Sequence, residues 1–177
     1  MSPGARPSAM RALAVCFLFA LTGTAAADSL KVGDRLAELD IAVDAAGRSF
    51  KLKSFKGKWV LVTVGAEWCK PCAKELPAWD KIAPEYKDKI TFIAINIDDS
   101  MDDGKKFFKK LKIANLTTVF LPADKSAVVA KYGSDNMPTT FVADPQGVIR
   151  YVRAGFEKGD VSGETKKMKA QLAKLLK

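Results

Sequence analysis

The sequence contains no histidine and only three cysteines among its 177 residues. Without histidine there is no Ser–His or Cys–His catalysis, no imidazole metal ligand and no haem held by a histidine. A structural zinc site needs about four ligands, and no second C-x-x-C is present to complete one. The reaction chemistry of this chain therefore has to be sought first at its cysteines.

The N-terminus carries the pattern of an export signal. Arg6 and Arg11 precede an apolar stretch, residues 12–21, which is too short to span a bilayer comfortably. A run of alanines that ends at Ala27 then offers a small-residue cleavage site. This order of charged, apolar and small residues is typical of a secretory signal, and an uncleaved membrane anchor is the alternative interpretation.

The leader divides the chain into two parts. We expect residues 1–27 to be a signal peptide and residues 28–177 to form one domain. Cys16 lies inside the leader, so the mature chain would keep only Cys69 and Cys72. Export would place this pair in an oxidising compartment, and we therefore expect a periplasmic protein.

Positive charge is in excess along the whole chain. The 29 lysine and arginine residues outnumber the 20 acidic residues, which gives a formal charge of +9 at pH 7. The lysines are spread out and are not interleaved with aromatic residues, so the pattern indicates a solvated surface. We expect no nucleic-acid partner and a monomeric protein.

Cys69 and Cys72 stand between an apolar run, residues 59–64, and a helical pattern, residues 73–86. The apolar run is typical of a buried central strand, which would deliver the cysteines to the start of a helix. A disulfide across so short a loop removes little entropy from the unfolded chain, so it is a poor structural staple. The pair favours redox cycling, and a zinc half-site or an inert buried pair are the alternatives.

The residues around the pair favour an ionised sulfur at Cys69. Pro71 suits a first helical turn, where its missing N–H costs nothing, and Cys69 would face the free backbone N–H groups of that turn. Lys70 adds a positive charge beside it. The thiolate is the nucleophilic form of a cysteine. Since the helix start and Lys70 both favour this anion, we expect the pKa of Cys69 to lie below that of an ordinary thiol.

The rest of the chain alternates between strand and helix patterns, which predicts one α/β domain. Strands are predicted over 59–64, 90–97 and 116–121, with an N-terminal β-hairpin over 38–43 and 49–53 and a second hairpin over 139–143 and 148–152. Helices are predicted over 73–86, 100–111, 126–132 and 161–176. The last helix is expected to pack on the sheet, and a membrane-surface helix is the alternative.

Two separated stretches resemble the thioredoxin superfamily. Residues 61–72, LVTVGAEWCKPC, resemble its active-site strand and turn, and residues 132–141, YGSDNMPTTF, resemble its cis-proline loop. Residues 72–77 and the N-terminal hairpin resemble the exported TlpA-like branch, and the likeness extends over residues 32–176. The resemblance implies a thioredoxin-like fold, with a central mixed β-sheet flanked by helices and an added N-terminal β-hairpin.

The resemblance also implies roles for individual residues. Cys69 matches the attacking cysteine, Cys72 matches the resolving one, and Pro138 matches the cis-proline beside the disulfide. Met137, which precedes that proline, would offer its backbone to a bound substrate segment. Glu75 matches a TlpA-like carboxylate that shuttles protons to the resolving cysteine. An exposed glutamate in a first helical turn is the other interpretation of Glu75.

The remaining positions of the motif either suit substrate binding or depart from the family pattern. Trp68, Lys70 and Pro71 are expected to contribute to the substrate-binding surface beside the cysteines. Thioredoxins usually carry a buried aspartate where this chain has Thr63, and an aromatic residue where it has Gly65. The ordinary thioredoxin proton pathway is therefore in question, and Glu75 or water would have to replace it.

The resemblance implies an exported thiol–disulfide oxidoreductase that acts as a reductant of disulfide-containing proteins. A membrane thiol carrier would supply its electrons, no cofactor beyond the Cys69–Cys72 disulfide is expected, and cytochrome c maturation or oxidase assembly are candidate processes. A disulfide oxidase or isomerase is the alternative within the enzyme class. A Cu(I) metallochaperone is the alternative outside it, because thiolates are soft ligands. The P-x-x-x-T-x-x-C pattern of a peroxidase is missing.

Overall fold

The computed structural model describes Met1 and residues 29–121 and 127–177. Residues 2–27 of the predicted signal peptide, Cys16 among them, lie outside the described residues, as does Ser126 at the start of a predicted helix. Within the described part of the chain, no helix is both long enough and apolar enough to cross a bilayer.

A six-stranded mixed sheet forms the centre of the fold. Its strands are β1 (Val43–Asp44), β2 (Trp59–Gly65), β3 (Ile90–Asn96), β4 (Thr117–Phe120), β5 (Thr139–Ala143) and β6 (Ile149–Ala154). The spatial order is β1-β4-β3-β2-β5-β6, in which β2, β3 and β4 run parallel and β1, β5 and β6 pair antiparallel with their neighbours. The continuously apolar segment β2 is therefore a central strand, as its composition predicts.

Helices cover both faces of the sheet. They are α1 (Cys72–Ile82), α2 (Met101–Lys110), α3 (Ala127–Lys131) and α4 (Val161–Leu175). Residues of α1, α2 and α4 pack in one apolar cluster with Leu61 and Val142 of the sheet. The other face of the sheet is covered by α3 and by the N-terminal segment that contains Leu39 and Phe50. This arrangement confirms the predicted α/β thioredoxin-like fold.

Several predicted helix boundaries are confirmed. Ser100 is the N-cap of α2, where its hydroxyl accepts a hydrogen bond of 3.1 Å from the Asp103 N–H. Met168 and Leu172 of α4 are fully buried in the same cluster as α1, so the last helix packs on the sheet. The helix predicted over 73–86 ends at Ile82 and continues as one 3₁₀ turn, Ala83–Tyr86, which has a proline in its first turn.

The N-terminal hairpin is shorter than its alternation predicts. It is held by a bridge between Val43 and Ser49 and by a hydrogen bond of 2.8 Å from the Phe50 N–H to the Ala42 carbonyl. Beyond it, residues 52–55 form a 3₁₀ helix, so the strand predicted over 49–53 is wrong at its end. The Glu38 carboxylate explains the change, because it accepts the N–H groups of Leu52 and Lys53 at 2.6 and 3.0 Å.

Candidate active site

The two cysteines lie where the central strand gives way to a helix. β2 ends at Gly65, α1 begins at Cys72, and a disulfide joins Cys69 to Cys72. Cys69 is 6% exposed, whereas Cys72 is completely buried. Of the two residues, Cys69 is therefore the one nearer to solvent and to a partner molecule.

The start of α1 directs a backbone donor at Cys69. Pro71 precedes the helix with helical dihedral angles, φ −65° and ψ −34°, and so sets its direction without needing an N–H. The Cys72 N–H then points at the Cys69 sulfur, 3.2 Å away. When the disulfide is reduced, this donor and the positive end of the helix dipole favour the thiolate form of Cys69.

Gly65 makes room for the disulfide at the end of β2. A Cβ at this position would lie 3.2 Å from the Cys72 Cβ, 3.4 Å from Leu76 Cδ1 and 3.5 Å from the Cys72 sulfur. The first of these contacts is tighter than a packed core readily accepts, and the other two are at ordinary van der Waals distance. The departure from the thioredoxin pattern at Gly65 thus coincides with a close approach of Cys72 to the strand.

The predicted cis-proline loop meets the sheet at the end of β2. The Met137–Pro138 bond is cis, and the β2–β5 register pairs Val64 with Thr139, so Pro138 follows at the end of β2 where the cysteine turn begins. A hydrogen bond of 2.8 Å from the Gly155 N–H to the Pro138 carbonyl stabilises the loop. Pro138 is buried and Met137 is partly buried.

The predicted substrate-binding residues flank the pair on the outer surface. Trp68 is 66% exposed, which is unusual for so large an apolar side chain, and Lys70 is exposed as well. Trp68, Lys70 and Pro71 adjoin Cys69 in the chain and Met137 precedes the cis-proline, while the role of all four in binding stays a prediction. An exposed tryptophan next to a reactive sulfur suits contact with a protein substrate.

Glu75 is fully buried on α1, so its interpretation as an exposed first-turn glutamate is wrong. Its Oε2 accepts a hydrogen bond of 2.6 Å from the Thr63 hydroxyl, and its Oε1 accepts one of 2.8 Å from the Thr140 hydroxyl. Thr140 in turn accepts the indole N–H of Trp79 at 3.3 Å. The carboxyl group is therefore embedded in a polar network inside an apolar cluster.

Burial raises the pKa of Glu75 from an ordinary value of 4.5 to about 7. The hydrogen bonds from Thr63 and Thr140 and the charge of Arg153 act in the opposite direction but offset only part of the desolvation. A carboxyl group with this pKa exchanges its proton near neutral pH. It lies one helical turn after Cys72 on α1.

A second network fixes the turn that leads to the cysteines. Both carboxylate oxygens of Asp98 accept the Glu67 N–H, at 3.0 and 3.1 Å, and Asp98 Oδ2 also accepts the Asn96 side-chain amide at 2.7 Å. Asp98 is 6% exposed, so these bonds are shielded from water. The segment just before Trp68 is thereby tied to the end of β3.

Sequence reasoning missed Thr140, Trp79, Arg153 and Asp98. Thr140 and Arg153 look like ordinary strand residues, and only the β2–β5–β6 register places Thr140 beside Thr63 and Arg153 beside Thr140. Asp98 could have been found, since polar residues that follow parallel strands gather at one edge of a sheet. Among the described residues, no group of three or more Cys, Asp or Glu side chains is placed to hold a metal ion.

A family model described as the AhpC/TSA family matches residues 32–152. The chain belongs to the AhpC/TSA family. Among relatives of this AhpC/TSA protein, the thioredoxin-like protein YneN of Bacillus subtilis strain 168 is 36% identical over 110 residues, which are 62% of this chain and 64% of YneN. The thiol-disulfide oxidoreductase ResA of Bacillus thuringiensis subsp. konkukian is 32% identical over 131 residues, which are 72% of this chain and 73% of ResA.

Solved structures of the same type agree with this assignment. A Chlorobium tepidum protein described as a thiol:disulfide interchange protein DsbE superposes with a TM-score of 0.68 at 28% identity, over 81% of this chain and 99% of that one. The thioredoxin domain of a thiol-disulfide oxidoreductase from Bacteroides vulgatus gives a TM-score of 0.68 at 28% identity, over 84% of this chain and 100% of that one. The AhpC/TSA chain is thus a thiol–disulfide oxidoreductase of thioredoxin-like fold with a Cys69–Cys72 redox pair.

Proposed function

We propose that this protein is an exported reductant of protein disulfides, in which Cys69 attacks and Cys72 resolves. The observation that carries the proposal is the contact of 3.2 Å between the Cys72 N–H and the Cys69 sulfur, beside an exposed Trp68. It favours a thiolate at the more accessible of the two sulfurs. The names of relatives such as ResA and of the DsbE-like structure support the same class of reaction.

The reaction transfers two electrons to the substrate. The Cys69 thiolate attacks one sulfur of a substrate disulfide, an S–S bond forms between enzyme and substrate, and the second substrate sulfur leaves as a thiolate that takes a proton. The Cys72 thiol then gives up its proton and attacks the Cys69 sulfur. This step forms the Cys69–Cys72 disulfide and releases the first substrate sulfur as a thiolate.

Glu75 is the group we assign to the proton of Cys72. It is buried on α1 one helical turn after Cys72, and with a pKa of about 7 it is partly ionised at neutral pH and able to accept a proton. Thr63 and Thr140 hold the carboxylate in place through both of its oxygens. Glu75 would then return the proton when the enzyme disulfide is reduced again.

The biological setting extends the proposal. Residues 1–27 are the signal peptide, residues 28–177 are the mature domain, and the protein works as a periplasmic monomer. A membrane thiol carrier reduces the Cys69–Cys72 disulfide after each cycle. The substrates are exported proteins with paired cysteines, of which an apocytochrome c that must present reduced thiols is the leading candidate.

The decisive experiment is the reduction potential of the pair, measured by equilibration with mixtures of reduced and oxidised glutathione followed by alkylation of the free thiols. A potential of about −270 mV or below supports a reductant, and one near about −120 mV indicates a disulfide oxidase. A potential typical of an oxidase would also have a physical explanation in this chain, because the Cys72 N–H at Cys69 and the charge of Lys70 stabilise the reduced form. Catalysed reduction of insulin disulfides by the same sample would complete the test.

A further inference from the structure

Arg153 is a partly buried cation that lies among aromatic rings on the far side of the Glu75 network. Its side chain is 14% exposed, and its guanidinium carbon lies 5.2 Å from the ring centre of Phe156 and 6.0 Å from that of Trp79. It forms an ion pair with Glu164 of α4, which is itself 4% exposed and also binds the Lys167 amine at 2.8 Å. Burying this charge is unfavourable unless the pairing compensates for it.

The pairing of Arg153 is incomplete. Within the described residues its Nη1 atom is buried and has no hydrogen-bond partner. An unsatisfied buried donor costs stability, and an apolar side chain of similar volume would fill the same space between Trp79 and Phe156 without that cost. The presence of a cation at residue 153 is therefore explained if its positive charge acts on a neighbouring group.

Strand register identifies that neighbour. Thr63 of β2 pairs with Thr140 of β5, and Thr140 pairs with Arg153 of β6. Residues that face each other across strands project from the same face of the sheet, with Cβ atoms roughly 5 Å apart. The three side chains thus form a row under α1, and the carboxylate of Glu75 accepts hydrogen bonds from the first two of them.

Trp79 connects Arg153 to the hydrogen-bond network of the Glu75 carboxylate. Its ring contacts the Arg153 guanidinium, and its indole N–H donates to the Thr140 hydroxyl that is bonded to Glu75. Around Glu75, the side chains of Thr63, Thr140 and Trp79 are neutral, and so are Cys69 and Cys72 in the disulfide. Arg153 is the cation of β6 that acts on Glu75, and Glu164 and Lys167 of α4 lie behind it.

We propose that Arg153 is a positioning residue that sets the ionisation of Glu75 through space, and that Glu164 of α4 moderates its charge. The proposal deepens the proposed function, since it rests on Glu75 as the proton acceptor of Cys72. Arg153 touches neither the sulfurs nor, by any hydrogen bond, the carboxylate. Its charge nevertheless opposes the effect of burial on the pKa of Glu75.

Two substitutions that break the same ion pair should act in opposite directions. Arg153→Met removes the cation and leaves Glu164 in place, so the ionisation midpoint of Glu75 should rise by roughly half to one pH unit. Glu164→Gln removes the opposing anion and leaves Arg153 and Lys167 uncompensated, so the midpoint should fall. A purely structural ion pair has no reason to produce shifts of opposite sign.

The test is a carbon-13 NMR titration of the side-chain carboxyl groups in the oxidised full chain. The Glu75 resonance is assigned by its loss in Glu75→Gln. Arg153→Lys keeps the charge and should leave the midpoint close to that of the wild type. Lys167→Met removes a charge whose side chain is 71% exposed and is the matched control, for which we expect a shift of less than about 0.3 unit because solvent screens it.

Equal midpoints in the wild type and Arg153→Met, or shifts of the same sign in Arg153→Met and Glu164→Gln, would overturn the proposal. If Glu164→Gln does not fold, because the partly buried Arg153 is left without a counter-charge, the double variant Arg153→Met/Glu164→Gln replaces it. Its midpoint should lie between those of the wild type and Arg153→Met, and a midpoint equal to the wild type would overturn the proposal.

The pH dependence of insulin reduction separates this proposal from the role of Glu75. If the NMR midpoints move as expected and the pH profile of the rate moves with them, both proposals are supported. If the midpoints move while the pH profile stays fixed, Arg153 still sets the ionisation of Glu75, but Glu75 does not carry the proton of Cys72.

Discussion

The hydroxyl of Thr63 donates a hydrogen bond of 2.6 Å to Oε2 of Glu75 and so joins the central strand to the first helix beneath the disulfide. The strand position that carries a buried aspartate in thioredoxins carries only this hydroxyl here. The buried carboxylate is supplied from α1 instead, one turn after Cys72. The buried acidic group of this chain therefore lies on the helix, and the strand supplies its hydrogen-bond donor.

The first prediction concerns stability and pH. The pKa of Glu75 is raised from 4.5 to about 7 in the folded protein, so the folded state holds a proton that the unfolded state has lost between these two values. The contribution of Glu75 is fully present below about pH 4.5 and is lost as pH rises through about 7. This loss is on the order of 3 kcal/mol in the free energy of unfolding.

Urea unfolding of the oxidised protein at about pH 5 and about pH 8 measures this effect. In Glu75→Gln the difference between the two values of pH should shrink by most of that amount, because the neutral amide has no proton to lose. Glu85→Gln is the matched control, since the Glu85 side chain is 53% exposed in its ion pair with Lys169. An equal pH dependence in the wild type and Glu75→Gln would contradict a buried, titrating carboxyl group.

The second prediction concerns the donor itself. Thr63→Val keeps the shape of the side chain but leaves Oε2 of Glu75 without its bond from Thr63, so the pKa of Glu75 should rise further. At about pH 8 the variant should lose roughly 1–3 kcal/mol of stability, and less at about pH 5, where the carboxyl is protonated. Urea unfolding measures both values.

Thr63→Ser is the control for this substitution, because serine retains the hydroxyl and loses only a methyl group. Its stability should depend on pH as in the wild type. If Thr63→Val and Thr63→Ser behave alike at both values of pH, packing explains the effect of the valine and the hydrogen bond does not.

The third prediction separates the two cysteines. Cys69 is 6% exposed and Cys72 is completely buried, so iodoacetamide should modify Cys69 first in the reduced protein. Cys69→Ser should lower insulin reduction to the uncatalysed rate, whereas Cys72→Ser should accumulate mixed disulfides with substrate proteins. Non-reducing electrophoresis and mass spectrometry detect these species. Trapping by Cys69→Ser in place of Cys72→Ser would reverse the roles that we assign.

The fourth prediction tests the close approach at the end of β2. Gly65→Ala would place a methyl group 3.2 Å from the Cys72 Cβ, so we expect a loss of about 1–3 kcal/mol in the free energy of unfolding. Gly159→Ala is the matched control, because its Cβ would meet only a carboxylate oxygen of Glu157, at 3.4 Å. The control should stay within about 0.5 kcal/mol of the wild type in urea unfolding.

Equal stability of Gly65→Ala and the wild type would show that the cysteine turn can shift away from the strand. The rate of insulin reduction then indicates whether such a shift matters for the reaction. We expect the rate to fall in Gly65→Ala, because the added methyl group displaces the resolving sulfur from its position behind Cys69.

Local chemistry in the chain was sufficient for the main elements. The apolar run 59–64, the proline at position 71 and the C-x-x-C spacing predict a buried strand that leads two cysteines into a helix, and this prediction is confirmed. Ser100 and Asp103 likewise predict the start of α2. Such features are readable because each depends on residues only a few positions apart, whose backbone hydrogen bonding is decided locally.

The end of the N-terminal hairpin shows where local reading fails. Alternation predicts a strand over 49–53, but the Glu38 carboxylate binds the N–H groups of Leu52 and Lys53 and turns this segment into a 3₁₀ helix. The carboxylate and its donors are separated by more than ten positions. Only the folded chain brings them together, and the pattern of apolar residues does not predict the contact.

The sequence by itself determined that this protein has a cysteine pair at a strand–helix junction, a cis-proline loop and no histidine. The tertiary structure decided that Glu75 is buried and accepts hydrogen bonds from Thr63 and Thr140, and that Arg153 pairs with Thr140 across β5 and β6. The physical reason is that desolvation and through-space charge depend on neighbours from β2, β5, β6 and α4, which are distant along the chain. Strand register and helix packing create those neighbours.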